Sequence, residues 1–436
     1  MIGKAAGVAT RILPFVAVLF ALVLGPVRAH AADPMPAQLD DGSFWKLIAD
    51  LSEPNGEFQS ENLLSNETDF PIVMSTLKST VPSGGVYLGV GPEQNFNYIA
   101  AIRPRMAIII DIRRQNMLEH FLYKALFELS PNRSSFISRL FSRSSIPADE
   151  WTSASSAAEL LDAYQDIAAD QAAFIRNLHD VRKLLAETHH FGLTRDDLAS
   201  IENMYAAFRD FGPAINYNSR GGGIGGRAFM PSYQELMTET DSHGHEWSYL
   251  ASEESYRAVR DLELRNLIVP ITGDFGGPSA IRSVGKFLKD HGAVVSAFYT
   301  SNVEGYLFRG GDRQGNPNGG AARFYGNVAA LPLNRSSTFI RWIPNGGGRS
   351  YGSSISLAPI LSTIDDFKAG RFTSADLFPL LGNGFVRGFQ GFINAAPPVS
   401  GAERLRGALS RVWPIAIVLA LVAVLFAGLL LWNRAR

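Results

Sequence analysis

The sequence predicts an α/β protein built on a mostly parallel sheet. Three observations carry this. Residues 86–111 run strand, glycine turn, helix and second strand, closing on Asp111. Apolar strand candidates return at 267–271, 294–300 and 338–343, with a helix between the first two. The stretch between the two groups is patterned as helix. Alternating strand and helix marks α/β architecture. The order of residues 86–111 is that of the nucleotide-cofactor half of a Rossmann-like sheet. The fold expected is therefore Rossmann-like, with a large helical insertion and a C-terminal transmembrane helix.

The elements follow in chain order. Lys4 and Arg11 precede an uncharged stretch, 12–27, and Ala29-His30-Ala31 follows. That layout predicts a signal peptide over 1–31. An N-terminal helical segment, 32–82, holds a helix at 43–53 opened by Ser43, a polar loop at 61–67 and a helix at 71–79. The first part of the Rossmann-like domain, 83–116, begins with the strand 86–88 and the turn Gly89-Val90-Gly91. Pro92 suits the first helical position. The helix stops near Arg103, because Pro104 disfavours helical geometry before it. Residues 106–110 form a continuous apolar run, as in a sheet covered on both faces. Asp111 lies 20 residues after Gly91, where a ribose-binding acid belongs.

The helical insertion spans 117–265. It comprises a helix at 117–129, an exposed Ser- and Arg-rich connection at 131–147, and a long helix at 157–185. The seam of that helix is Leu160, Tyr164, Ile167, Phe174, Leu178, Val181 and Leu185. Thr194 opens a further helix to about Phe211. The second part of the domain, 266–345, holds the strand 267–271 with Gly273-Asp274 after it and a helix at 278–291 ended by Gly292. The strand 294–300 follows, leading to Asn302 and Glu304, and then the strand 338–343. The extension 346–411 shows no clear element. Residues 412–432 are 21 residues without a charge, bracketed by Trp413 and Trp432, and predict a transmembrane helix.

The chain has 436 residues, 46% hydrophobic and 19% charged, with net charge −1 and no cysteine. Disulfides and zinc–thiolate sites are excluded, and no nucleic-acid footprint is visible. Basic residues flanking the predicted span are nearly balanced, so the N-terminal signal sets the orientation. The expectation is a protein of the bacterial inner membrane with a single C-terminal span and its body in the periplasm or exterior.

Gly89, Gly91, Asp111, Asp274 and Asn302 all fall at carboxyl ends of strands, where ligands of such sheets bind. Arg113 and Arg114 either reach an anionic group there or form salt bridges holding the insertion. The Arg220–Arg227 glycine loop reads as a surface loop or a lid. His243-Gly244-His245-Glu246 matches no metalloprotease spacing, and no metal is expected. His189-His190 reads as a solvated pair at a helix end.

The segments Leu-Gly-Val-Gly-Pro-Glu-Gln-Asn (88–95), Ile-Ile-Asp-Ile-Arg-Arg-Gln-Asn (109–116), Tyr-Thr-Ser-Asn-Val-Glu (299–304) and Ser65-Asn66-Glu67 carry a resemblance. They resemble a little-characterised bacterial family related to class I S-adenosylmethionine-dependent methyltransferases, over roughly 60–345. The resemblance implies S-adenosylmethionine as cofactor, held by Gly89, Gly91, Glu93, Asn95, Asp111 and Asp274. It implies substrate contacts from Asn66, Asn302 and Arg113, with Glu304 as a general base. The sequence departs from the methyltransferase pattern at Tyr87, where an acid is usual, and at Glu93, where a glycine is common. Glu93 beside the turn would either repel the cofactor carboxylate or attract its ammonium or sulfonium charge.

The function expected is thus a membrane-anchored, exported methyltransferase-like enzyme acting on a small-molecule or protein acceptor. The alternatives are a non-catalytic Rossmann-like module that binds a ligand or partner and, more weakly, an NAD-dependent oxidoreductase. No nucleic-acid partner is expected.

Overall fold

The computed structural model describes residues 34–58, 62–146, 152–217, 219, 230–309, 319–344, 353–373 and 377. The predicted signal peptide, the span 412–432 and the 220–227 loop with its two arginines lie outside these residues. Among the described residues no helix is long and apolar enough to cross a membrane.

The protein is a mixed α/β fold around one six-stranded sheet. The strands are β1 (Val86–Gly89), β2 (Met106–Asp111), β3 (Ile268–Thr272), β4 (Val295–Ser301), β5 (Thr338–Pro344) and β6 (Ser353–Pro359). Their spatial order is β3-β2-β1-β4-β5-β6. All neighbours pair in parallel except β5 with β6, which is antiparallel. Every residue of β1, β2 and β3 is buried, which explains their unbroken apolar runs. The chain leaves β1 toward β2 on one side and returns with β4 on the other. The strand order therefore reverses between β1 and β4, and a crevice opens outside their carboxyl ends.

Helix α1 (Asp41–Leu51) packs along β3, the outer strand of the sheet, through Phe44, Ile48 and Leu51. Its cap is Asp40, whose carboxylate accepts the Ser43 N–H at 2.9 Å; Ser43 itself lies inside the first turn. Beyond α1 the chain crosses the ends of β3 and β2. Glu53 N–H donates to Thr272 O at 2.7 Å, and Gly56 N–H to Ile112 O at 2.9 Å.

After α2 (Pro71–Thr80) and β1 comes α3 (Gln94–Ile102), which starts two residues later than Pro92 suggests. It ends at Arg103, which takes a left-handed conformation with φ 51°. Between β2 and β3 the regular elements of the described residues are helical, beside three isolated β-bridges. The helices are α4 (Arg114–Leu129), α5 (Arg133–Leu140), α6 (Ala157–Gln165), α7 (Gln171–Arg182), α8 (Arg195–Phe211), α9 (Tyr233–Thr238) and α10 (Glu253–Leu264), with a π-turn at Lys183–Thr188 and a 3₁₀ turn at Gly212–Ala214. A ring cluster of Phe96, Phe127, Phe136, Tyr249 and Tyr256 joins α3, α4, α5 and α10.

Three expectations about this region are corrected. The stretch 131–147 is not an exposed connection, because α5 lies in it with Phe136, Ile137, Leu140 and Phe141 buried. Its polar residues are consumed locally. Asn132 and Ser135 form a capping box, and fully buried Arg133 binds Glu253 at 3.1 Å and Leu250 O at 2.6 Å. The helix 157–185 is broken between α6 and α7, where Asp170 caps α7 by accepting from Ala172 N–H. The apolar seam stays buried in both pieces, with Ile167 in the break half-buried against the same core. His189 is not solvated: it is 14% exposed, with the carboxylates of Asp41 and Glu128 each 2.9 Å away.

Helix α8 is capped by Thr194 as its sequence indicates. Helix α11 (Ala280–Asp290) ends before Gly292 at φ 61°. Helices α12 (Val303–Arg309), α13 (Gly319–Val328) and α14 (Ile360–Lys368) complete the described fold.

Candidate functional site

The glycine turn is built by its own side chains. Asn95, on the first turn of α3, donates Nδ2–H to Val90 O (3.0 Å), Gly91 O (3.0 Å) and Pro92 O (2.7 Å). Tyr87 OH donates to Asn95 Oδ1 at 2.9 Å. Gly89 is required because a Cβ there would collide with Asn95 Oδ1 and the Tyr87 ring. Gly91 sits at φ 75°, which a side chain disfavours. His120 Nε2 donates to Gly91 O at 3.0 Å, and burial pushes this imidazole down to about 4, so it is neutral near pH 7.

A cavity of about 300 Å³ lies against this turn at the strand ends. Of the residues singled out in the sequence, it is lined by Gly91, Asp111, Asp274, Asn66, Asn302 and Arg113. These come from both sides of the β1/β4 reversal, and the fold alone brings them together.

Four others are placed differently. Gly89 and Asn95 lie behind the cavity wall and shape the turn. Glu93 is fully buried and accepts Ser65 N–H at 3.1 and 3.2 Å. Burial, with the nearby Glu67 carboxylate, pushes it up to about 8, so it is neutral at pH 7 and offers no charge to the cavity. Glu304 is also turned away from the cavity. Arg341 binds it twice, at 2.8 and 3.0 Å, Thr300 Oγ1 donates to it at 3.2 Å, and Tyr325 OH donates to its other oxygen. This geometry makes Glu304 a structural anchor between β4 and β5 rather than a general base.

Within the cavity, Asp111 is already engaged. Arg113 contacts it through backbone N–H (2.9 Å), Nε (3.1 Å) and Nη2 (3.1 Å). Arg114, by contrast, ties α4 to α8 through Asp197, at 2.8 Å for both of its contacts. That pairing holds the Asp197 carboxyl down at about 2. Asp274 accepts Gly276 N–H at 2.8 Å. The start of α11 beyond it is occupied by Glu53, which accepts from the N–H groups of Ser279 and Ala280, each at 2.7 Å.

Sequence reasoning passed over Glu67, Gln94 and Asn62. Glu67 lines the cavity, is 2% exposed, and accepts from Tyr299 OH at 2.6 Å and from Ser301 Oγ. Its only sequence signal was its place beside Asn66. Gln94 Oε1 and Asn62 Oδ1 belong to lining residues and are buried without a partner among the described residues. No cluster of potential metal-binding side chains occurs among the described residues.

The fold and crevice thus define a mixed α/β protein with a ligand-sized cavity at the reversal of its strand order. The chain belongs to the family described as "Domain of unknown function (DUF7790)", which matches residues 63–358. No curated protein matches it.

Proposed function

We propose that this is an exported, membrane-anchored, methyltransferase-like protein with a Rossmann-like fold, and that its crevice binds S-adenosylmethionine. The observation that carries the reading is the convergence of Gly91, Asp111, Asp274 and Asn302 on one cavity of about 300 Å³. The lining fits such a ligand chemically. It is rich in acceptor oxygens, from Asp111, Asp274, Asn62, Gln94 and Glu67. Ribose hydroxyls, an ammonium and a sulfonium are donors or cations that such oxygens satisfy. When bound, the cofactor supplies an electrophilic methyl group; the chain supplies position and exclusion of water. Gly91 leaves room beside the turn, Asp111 offers hydroxyl contacts, and Asn66 and Asn302 line the same cavity and would contact an acceptor.

One observation favours a second reading, that of a non-catalytic ligand- or partner-binding module. The Asp111 carboxylate is bridged by Arg113, so a ribose must share that carboxylate or displace the guanidinium. Heat-induced unfolding of the full chain separates the readings. S-adenosylmethionine and S-adenosylhomocysteine at 100 times Kd should each stabilise by roughly 2.7 kcal/mol, whereas NAD should not. A midpoint unmoved by either sulfur ligand rejects the methyltransferase reading, and a response to NAD alone replaces it with the oxidoreductase.

A further inference from the structure

Glu67 is a buried carboxyl group that forms no ion pair among the described residues. It comes from the segment before α2 and faces the cavity beside the end of β4. One oxygen accepts from Tyr299 OH at 2.6 Å and the other from Ser301 Oγ. Ser301 delivers that hydroxyl from a left-handed backbone, φ 51°, at a register shift in β4. A non-glycine residue held there is strained, and such strain gathers at functional sites. The unpartnered oxygens of Asn62 and Gln94 belong to the same lining.

We infer that Glu67 is the proton-accepting group of this crevice, positioned by Tyr299 and Ser301, and that it receives a hydroxyl or amine of a second ligand. The second-ligand role rests on the cofactor reading above. In the step, a Glu67 carboxylate oxygen takes the proton of the ligand's O–H or of its ammonium N–H. The bonding electrons stay on the ligand's oxygen or nitrogen, which becomes the better nucleophile, and Glu67 later releases the proton to water.

The surroundings suit this role. Tyr87 on β1, Tyr98 on α3, Tyr299 on β4 and Glu93 before α3 act electrostatically on Glu67 or feel its charge. Asp111, Arg113 and Asp274 also line the cavity. No cation pairs with Glu67 among the described residues, and Arg113 is bound to Asp111. Burial therefore raises its pKa, and the Ser301 and Tyr299 hydroxyls hold the rise to about 7, which suits a base working near neutrality.

The test uses the full wild-type chain without ligand. Labelling by dicyclohexylcarbodiimide, which reacts with protonated carboxyls, is mapped by peptide mass spectrometry between pH 5 and pH 9. Glu67 should label with a midpoint near pH 7, and Tyr299→Phe should move that midpoint upward by removing a donor to the carboxylate. Ligand-observed NMR with phenol and benzylamine should show binding that falls at least tenfold in Glu67→Gln. Absence of label at every pH, a midpoint in the ordinary carboxyl range, or undiminished probe binding by Glu67→Gln overturns the inference. S-adenosylmethionine binding is measured in parallel on the wild type. Its absence alongside a labelled Glu67 and lost probe binding overturns the cofactor reading and still supports Glu67 as the proton acceptor.

Discussion

Arg113 holds Asp111 from two residues away, with Nε to Oδ1 and Nη2 to Oδ2 both at 3.1 Å and both side chains 7% exposed. The acid that ends β2 is thus oriented by its own strand end. Removing Asp111 removes the proposed ligand contact, whereas removing Arg113 strands a buried carboxylate. Asp111→Ala should abolish S-adenosylmethionine binding in calorimetry. Arg113→Met should lower unfolding stability in urea by roughly 3–5 kcal/mol. Unchanged affinity in Asp111→Ala would sink the site assignment.

The Tyr87–Asn95 pair gives a second expectation. Tyr87→Phe deletes the one donor to Asn95 Oδ1 among the described residues, in a fully buried position. Leaving that acceptor unsatisfied costs about 1–3 kcal/mol. Urea unfolding should show that loss, and ligand affinity should fall with it because Asn95 shapes the turn. A variant as stable as wild type would show that the pair is dispensable.

Glu304 and Arg341 should behave as architecture. Arg341→Met leaves the Glu304 carboxylate buried at 3% side-chain exposure. A stability loss of roughly 3–5 kcal/mol is expected in thermal and urea unfolding. A loss of less than 1 kcal/mol would reopen the case for Glu304 as a reactive group.

The cluster of His189, Asp41 and Glu128 predicts a pH dependence. Burial alone would lower the His189 pKa, but the two carboxylates outweigh it and the net shift is upward. The stabilisation is therefore full below the ordinary histidine value of 6.5 and is lost as pH rises through the folded-state value. Asp41 and Glu128 shift downward for the complementary reason, so their share is lost only in acid. The melting-temperature difference between wild type and His189→Gln should be largest near pH 6 and shrink by pH 9. A difference constant with pH would contradict the pairing.

Placement of the body outside the cytoplasm is tested with reporters. A reporter active only outside the cytoplasm should work when fused after residue 400. One active only inside should work after residue 436. Deleting 412–432 should release the chain from the membrane fraction, and retention would refute the anchor.

What was legible in the sequence follows from local physics. The strands 86–88, 106–110 and 267–271 stood out because a sheet buried on both faces demands unbroken apolar runs. Thr194 and Gly292 stood out because capping chemistry is local. Helix α5 was hidden because the partners of its arginine lie far along the chain, at Glu253 and Leu250. Elements β6 and α14 were hidden in a Gly- and Pro-rich stretch, where pairing with β5 settles the structure.

The sequence by itself determined the class of fold, the glycine turn and the acid that ends β2, because periodicity and turn chemistry act over a few residues. Only the tertiary structure decided which polar groups face the crevice. A carboxyl group's role depends on its burial and on donors brought from elsewhere in the chain. Glu93 and Glu304 are withdrawn into internal bonds with Ser65 and Arg341, while Glu67 meets Tyr299 and Ser301 across more than 230 positions of sequence.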